Sequence, residues 1–378
     1  MSAGVHRAWL HVRAALISAR ANGRELLGRI LARLVGPRSH ASELAAERID
    51  TILVCRINGR MGNAVMLTPL VALLHESFPH AAIDLALSFP KAQELLRALP
   101  GVRRVILFPH KGPGLLRGYW RALRAVRAQR YDLAIDPIPN STSGRTVLAL
   151  CRARLRAGFA ATTQWAPLTH AAPLPEEFMH QAVKSVFLMA RLLGVPFDAA
   201  KVRLSLHLSA EEIAAGARAL AQAVGRGSFA PSREAFGFFA HATAFKSVDP
   251  GWWRAFWEAF LAAQPEAVPI EFLPTPTSAP LDPRFAALHL SSPRAVAAAM
   301  AATRLLISAD AGPMHLASST DVPTVALFRA SHVALYRPLK PVDQVIDVRH
   351  CSPQEAAALC ARLWRENART AAPPAAVG

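Results

Sequence analysis

"TILVCRINGRMGNAVMLTPLVALLHESFPHAAIDLALS", residues 51–88, decides the fold. It opens on a short apolar run, "TILVCRI", that reads as a buried strand. A glycine-punctuated polar loop follows, then "NAVMLTPLVALLHESF", which predicts a helix, and then a second strand, "AAIDLALS". A strand, a helix and a strand in succession form the repeating unit of a parallel sheet with helices on its faces. The loop between them carries Arg56, Asn58, Arg60 and Asn63 but no carboxylate, and its glycines allow the backbone close to a ligand.

The rhythm continues outward. "KAQELLRAL" predicts a helix, "VRRVILF" a strand, "GLLRGYWRALRAVRAQR" a basic amphipathic helix, and "YDLAIDPI" the next strand. Residues 171–235 read as largely helical and end in "GRGSFAPSREA", a linker-like Gly/Pro/Ser stretch. The pattern then restarts with "FGFFAHA", a helix over 250–263, "PIEFLP", a helix over 293–302, "RLLISA", "MHLASST" and "PTVALF". The expected fold is therefore α/β, with two doubly wound halves of similar rhythm over 49–230 and 231–370. Ligands of such sheets bind at the carboxyl ends of the strands, so the cleft between the halves is the expected site.

Composition narrows the partners. The 378 residues carry a formal charge of +17 and 52% hydrophobic residues, enough for two cores. Such a charge favours phosphate-rich partners. Aromatics are only 7% and none interleave with the arginines in a nucleic-acid motif, which argues against RNA or DNA. Cys55, Cys151, Cys351 and Cys360 lie far apart with no C-x-x-C pair, so neither a zinc site nor a disulfide framework is signalled. That cysteine usage suits a reducing cytoplasm.

Residues 1–48 stand apart. Val5, Trp9, Val12, Leu16, Leu26, Leu27, Ile30 and Leu34 recur at helical spacing among arginines, predicting a basic amphipathic helix. Residues 1–35 would then lie on an anionic membrane surface. Arginines interrupt every run that a secretory signal would need, and no apolar stretch is long enough to span a bilayer.

Three loops follow a predicted strand and open a helix. The first is the opening loop. The second, "HATAFKSVDPGWW", offers His241, Thr243 and Lys246. The third, "SADAGPMHLASS", places Asp310, Ala311, Gly312, Pro313, Met314 and His315 at a helix start. Backbone N–H groups and the positive end of a helix dipole suit an anion there, and Thr243 and Lys246 add a hydroxyl and an ammonium. A phosphate or pyrophosphate between the second and third loops is the simplest joint explanation.

These segments resemble glycosyltransferase family 9, the ADP-heptose:lipopolysaccharide heptosyltransferase group. "SADAGPMHLASSTDVPTVALF" is similar to the family's D-[ST]-G-P-x-H-[LI]-A segment and its following strand, and "RMGNAVMLTPLVALLHESFPHAAIDL" to its N-terminal signature. "YDLAIDPIPNSTS", "RLRAGF" and "HATAFKSVDPGWWRAF" fall where the family has its middle strand, its continuation and its phosphate loop. The resemblance spans about 50–345 and leaves out residues 1–48.

It implies a GT-B architecture of two Rossmann-like domains, an acceptor domain over 49–230 and a donor domain over 231–370. The implied reaction is an inverting, metal-independent transfer of a heptose or related sugar to lipopolysaccharide or another cell-surface glycan. The nucleotide-sugar, ADP-linked in the family, is a substrate, and no cofactor is implied. Thr243, Lys246 and residues 310–315 fall on the donor and phosphate side; Arg56, Asn58, Arg60 and Gly62 fall on the acceptor side, where the arginines can meet acceptor phosphates. The implied location is peripheral, at the inner face of a bacterial inner membrane.

The sequence departs from the family at two places. Asn63 stands where much of the family has an aspartate, and an amide has no useful basicity. The base then lies elsewhere, with Asp136 and His241 as candidates, or Asn63 only orients the acceptor, or the chain is a non-catalytic nucleotide- or glycan-binding descendant. The second departure is "EFLPTPTSAPLDP", where Ser278 is the nearest counterpart of the family's ribose-binding glutamate. It weakens the case for ADP and for heptose.

Overall fold

The computed structural model describes residues 44, 48–109, 112–139, 141–160, 168–225 and 229–370. The amphipathic helix expected over residues 1–48, with its membrane contact, falls almost wholly outside them. Among the described residues no helix is long and apolar enough to cross a membrane.

Two six-stranded sheets carry the fold. The first comprises β1 (Thr51–Arg56), β2 (Ala82–Leu87), β3 (Val102–Leu107), β4 (Arg130–Asp136), β5 (Arg152–Phe159) and β6 (His170–Ala172), in the spatial order β3-β2-β1-β4-β5-β6. The second comprises β7 (Ala235–Phe239), β8 (Val268–Phe272), β9 (Ala286–Leu288), β10 (Leu305–Ala309), β11 (Thr324–Phe328) and β12 (Gln344–Asp347), in the order β12-β11-β10-β7-β8-β9. All pairings are parallel. Both orders are the doubly wound one, so each sheet has a switch point where the winding reverses: between β1 and β4, and between β7 and β10. The loops singled out in the sequence leave β1, β7 and β10, and Asp136 ends β4. The architecture is the two-domain GT-B arrangement expected.

Parallel sheets covered on both faces need continuous apolar strands. β1 meets this with Ile52, Leu53, Val54 and Cys55 fully buried, and β7 with five buried residues. The second half's core is aromatic: Phe236 and Phe238 meet Trp253, Phe256, Trp257 and Phe260 of the helix Pro250–Ala263, and Trp364 of the C-terminal helix packs on Phe236. Asp249 starts that helix, its carboxylate accepting from the N–H groups of Gly251 and Trp252 at 2.8 and 3.3 Å.

Two expectations change. The helix after the first loop is two helices, Met61–Val65 and Thr68–Ser77. Pro69 has no N–H for the Val65 carbonyl, so the first helix stops and a new one starts with proline in its first turn. The helix Ala210–Val224, expected within the first half, packs against Pro293–Ala301 of the second. Gly216 lies so close that an added Cβ would sit 2.5 Å from the Ala298 carbonyl carbon and oxygen. Arg294 ties the pair by bonding Glu212 and the Leu206 carbonyl.

Candidate active site

β1 ends in Arg56, which is buried at the switch point of the first sheet. Its Nη2 donates to Asn63 Oδ1 at 3.0 Å, and Nη1 is buried without a hydrogen-bond partner. Burial lowers the guanidinium to about 10, against the opposing pull of Tyr336 and Asp136. Asn58 shapes the turn: its Oδ1 accepts from the Arg60 N–H at 3.1 Å, and its own N–H reaches the Arg56 carbonyl at 2.8 Å. Asn58 and Arg60 are exposed at the lip, whereas Gly62 is buried.

Across the cleft, β10 delivers Asp310, buried, and the helix Gly312–Ser318 starts at once. No side chain caps either this helix or Met61–Val65. The two helix starts meet. A Cβ added to Gly62 would lie 2.5 Å from His315 Cδ2, and one added to Gly312 would lie 2.9 Å from Met61 Cε. Glycine is thus required at 62 by the approach of an imidazole from the other half. Lys91 reinforces this seam by bonding the Ser291 carbonyl, and Phe178 meets His332 at 5.7 Å.

Lys246 leans into the same place from the β7 loop. Its Nζ is 2.9 Å from Asp310 Oδ2 and 6.0 Å from the centre of the Tyr336 ring. Asp310 Oδ2 lacks a well-directed hydrogen bond despite this distance, so the contact is an ion pair that leaves the ammonium's donors for a third group. Thr243 is exposed, and its carbonyl accepts from the Lys246 N–H at 2.9 Å. His315 is buried beside them with Nδ1 unpartnered. Burial lowers its imidazole to about 4; Asp310 opposes this, while Lys246 and Arg56 add to it. Met314 turns the other way, onto Ala326 and Phe328, and is a core residue.

The two candidate bases differ sharply. Asp136 is fully buried at the end of β4, its Oδ2 3.5 Å from Arg145 Nε, with its Oδ1 accepting from the Ile138 N–H at 3.4 Å. Burial raises it to about 7, against the pull of Arg145. Its position is that of an internal group behind Arg56 with no surface for a substrate. His241 is half-buried at the end of β7, with Nε2 3.1 Å from Oε1 of Glu271, although the two are not aligned as a hydrogen bond. Glu271 is itself buried and accepts from the Leu281 N–H at 2.6 Å. Burial raises the Glu271 carboxyl above its usual range. The Glu271 carboxyl thus stands beside one ring nitrogen and leaves Nδ1 on the other side of the imidazole. Ser278 lies in the loop after β8, bonded to Thr275 Oγ1 at 2.7 Å.

Several residues of the site carry no motif. His180 starts the helix Gln181–Leu193, its Nδ1 accepting from the Ala182 N–H at 3.1 Å, and Nε2 is buried without a partner. Burial lowers it to about 3; the charges of His315, Arg337 and Arg56 push the same way, and the Arg337 backbone opposes them. Glu271 and Arg145 were equally unmarked, because only the fold sets Glu271 beside His241 and Arg145 beside Asp136. Among the described residues, no group of three or more His, Cys, Asp or Glu is placed to hold a metal ion.

Residues 292–361, which include β10, the helix start and β11, match the model of glycosyltransferase family 9 (heptosyltransferase). The resemblance to glycosyltransferase family 9 holds. The fold matches that of solved members across both halves. A glycosyl transferase family 9 structure from Veillonella parvula aligns over 87% of this chain and 100% of its own, at 20% identity and a TM-score of 0.70. The E. coli heptosyltransferase WaaC with ADP aligns over 84% and 99%, at 16% and 0.64. E. coli ADP-heptose lps heptosyltransferase II aligns over 85% and 100%, at 18% and 0.64. No curated protein sequence matches this chain. The matched segment carries Asp310 to His315 and stops short of the Asn63 loop.

Proposed function

We propose that the chain is an inverting, metal-independent glycosyltransferase moving a heptose or related sugar from a nucleotide-sugar to a phosphorylated cell-surface glycan such as lipopolysaccharide. The observation that carries this reading is Lys246 paired with buried Asp310 beside the Gly62–His315 contact, where the two switch points face each other. Charge on a departing nucleoside diphosphate needs donors already in place, and Lys246 with the uncapped start of Gly312–Ser318 supplies them. Thr243 adds a hydroxyl at the same lip. WaaC was solved with ADP, so an ADP-linked donor is the first to try.

On the acceptor side Arg56, held by Asn63, and exposed Arg60 meet phosphate, while Asn63 orients the acceptor hydroxyl. His241 takes the hydroxyl proton at Nδ1 as the acceptor oxygen bonds the anomeric carbon. The electron pair of the broken C–O bond leaves with the diphosphate. Working at the inner face of a bacterial inner membrane fits such an acceptor and the +17 charge. The amide at 63, already committed to Arg56, favours a second reading, a non-catalytic nucleotide- or glycan-binding or scaffold protein.

Sugar transfer requires nucleotide binding at Lys246, as does a nucleotide-binding descendant. Calorimetric titration with ADP should give binding that Lys246→Met weakens by about tenfold or more, the scale of one charge-assisted contact. Binding that is unaffected by Lys246→Met removes the proposed donor site.

A further inference from the structure

The helix Leu115–Arg127 does not hide its apolar face completely. Ala122, Leu123 and Val126 are buried, and Tyr119 anchors the helix edge-on against Phe108 at 5.0 Å. Leu115, Leu116 and Trp120 remain outside, the last two 79% and 64% exposed. Leu116 and Trp120 are four residues apart and so stand one above the other. At 100° per residue, Arg124, Arg117 and Arg121 continue the same arc of about 140°. All three are exposed and pair with no described residue, and the helix contains no acid. In the whole interval between Glu94 and Asp132 there is no carboxylate, yet nine Lys and Arg.

We propose that this helix is a docking surface for an anionic phospholipid bilayer, with Leu116 and Trp120 entering the interface and Arg117, Arg121 and Arg124 meeting headgroup phosphates. Exposed aliphatic and indole groups beside arginines suit that boundary, where one end is apolar and the other wet. Charge selects this occupant over the alternatives. A second copy of the face would set arginine against arginine. The chain's own residues 1–48 are rich in arginine and would be repelled likewise.

Topology gives the contact a consequence. β3 is the outer strand of the parallel sheet, and this helix begins where β3 ends, at the carboxyl edge that also carries Arg56. Gly118 abuts Pro109, with an added Cβ only 2.8 Å from Pro109 Cγ, which seats the helix start against that exit. β1 lies two strands away, about 10 Å. A bilayer on Leu116 and Trp120 is therefore brought to the acceptor lip of the cleft. Docking itself needs neither donor nor acceptor, so it is tested separately from sugar transfer.

The test uses the full chain in a Cys351→Ser background with an environment-sensitive fluorophore on Leu116→Cys. Phosphatidylcholine vesicles with and without phosphatidylglycerol are the probes. Expected is a blue-shifted, brighter emission with the anionic vesicles alone, reversed at high salt. In co-sedimentation, Arg117→Gln/Arg121→Gln/Arg124→Gln should lower partitioning on the order of a hundredfold. Leu116→Ser/Trp120→Ser should lower it by about tenfold or more. Vesicle binding with the label still in water overturns the proposal, because the contact then lies elsewhere. So does partitioning indifferent to both variants, or a label shielded without lipid as protein concentration rises, which would mark an interface between copies.

Discussion

Gly62→Ala separates catalysis from stability. The new methyl carbon would stand 2.5 Å from His315 Cδ2 and 3.2 Å from Nε2, where carbon atoms ordinarily approach to about 3.5–4.0 Å. The His315 ring, or the helices Met61–Val65 and Gly312–Ser318 themselves, must therefore shift by about 1 Å. Both belong to the catalytic lips, and a misplacement of that size costs about a hundredfold in rate. Stability should respond differently. Alanine is better than glycine inside a helix by about 1 kcal/mol, and the clash lies between two halves that can relieve it by closing less. Steady-state kcat/KM and a thermal melt on the same preparation decide the matter, with the rate about a hundredfold down and the midpoint nearly unmoved. Gly216→Ala is the internal contrast: its methyl would meet the Ala298 backbone within a packed helix pair, so it should cost about 1–3 kcal/mol of stability and leave the rate alone. A wild-type rate in Gly62→Ala refutes the reasoning that the Gly62–His315 contact sets the catalytic geometry.

His180→Asn tests acid sensitivity. His180 is held near 3 in the folded chain against about 6.5 unfolded, so the unfolded state binds the extra proton and stability is lost as pH falls below about 6.5. At pH 5 that loss is about 2 kcal/mol. Asparagine keeps the helix cap without the titration, so denaturant melts of the variant should lose less between pH 7 and 5 than those of the wild type. An equal loss contradicts the assignment. For the base, His241→Gln should lower kcat by about a hundredfold or more with KM little changed. An unchanged kcat moves the base elsewhere.

Much of this was legible in the chain. β1, β7 and β10 announce themselves as apolar runs ending in polar loops, and each loop lands at a switch point because the winding order places it there. Lys246 and Asp310 were both visible, but not their pairing, since 64 residues separate them and only the adjacency of β7 and β10 joins them. Gly62 was read as permitting a ligand's approach; its nearest neighbour is a histidine from the other half. Asp136 looked like a candidate base because a carboxylate ended a strand, but burial was not encoded locally. Glu271 and His180 had no motif, so their roles rest on packing alone.

The most direct measurement is release of nucleoside diphosphate from a panel of nucleotide-sugars, with and without a phosphorylated glycolipid acceptor, by the wild type and Lys246→Met. The account predicts acceptor-dependent release from at least one donor and its near-complete loss in the variant. Donor binding without release from any member of the panel would contradict sugar transfer and leave the chain a binding protein.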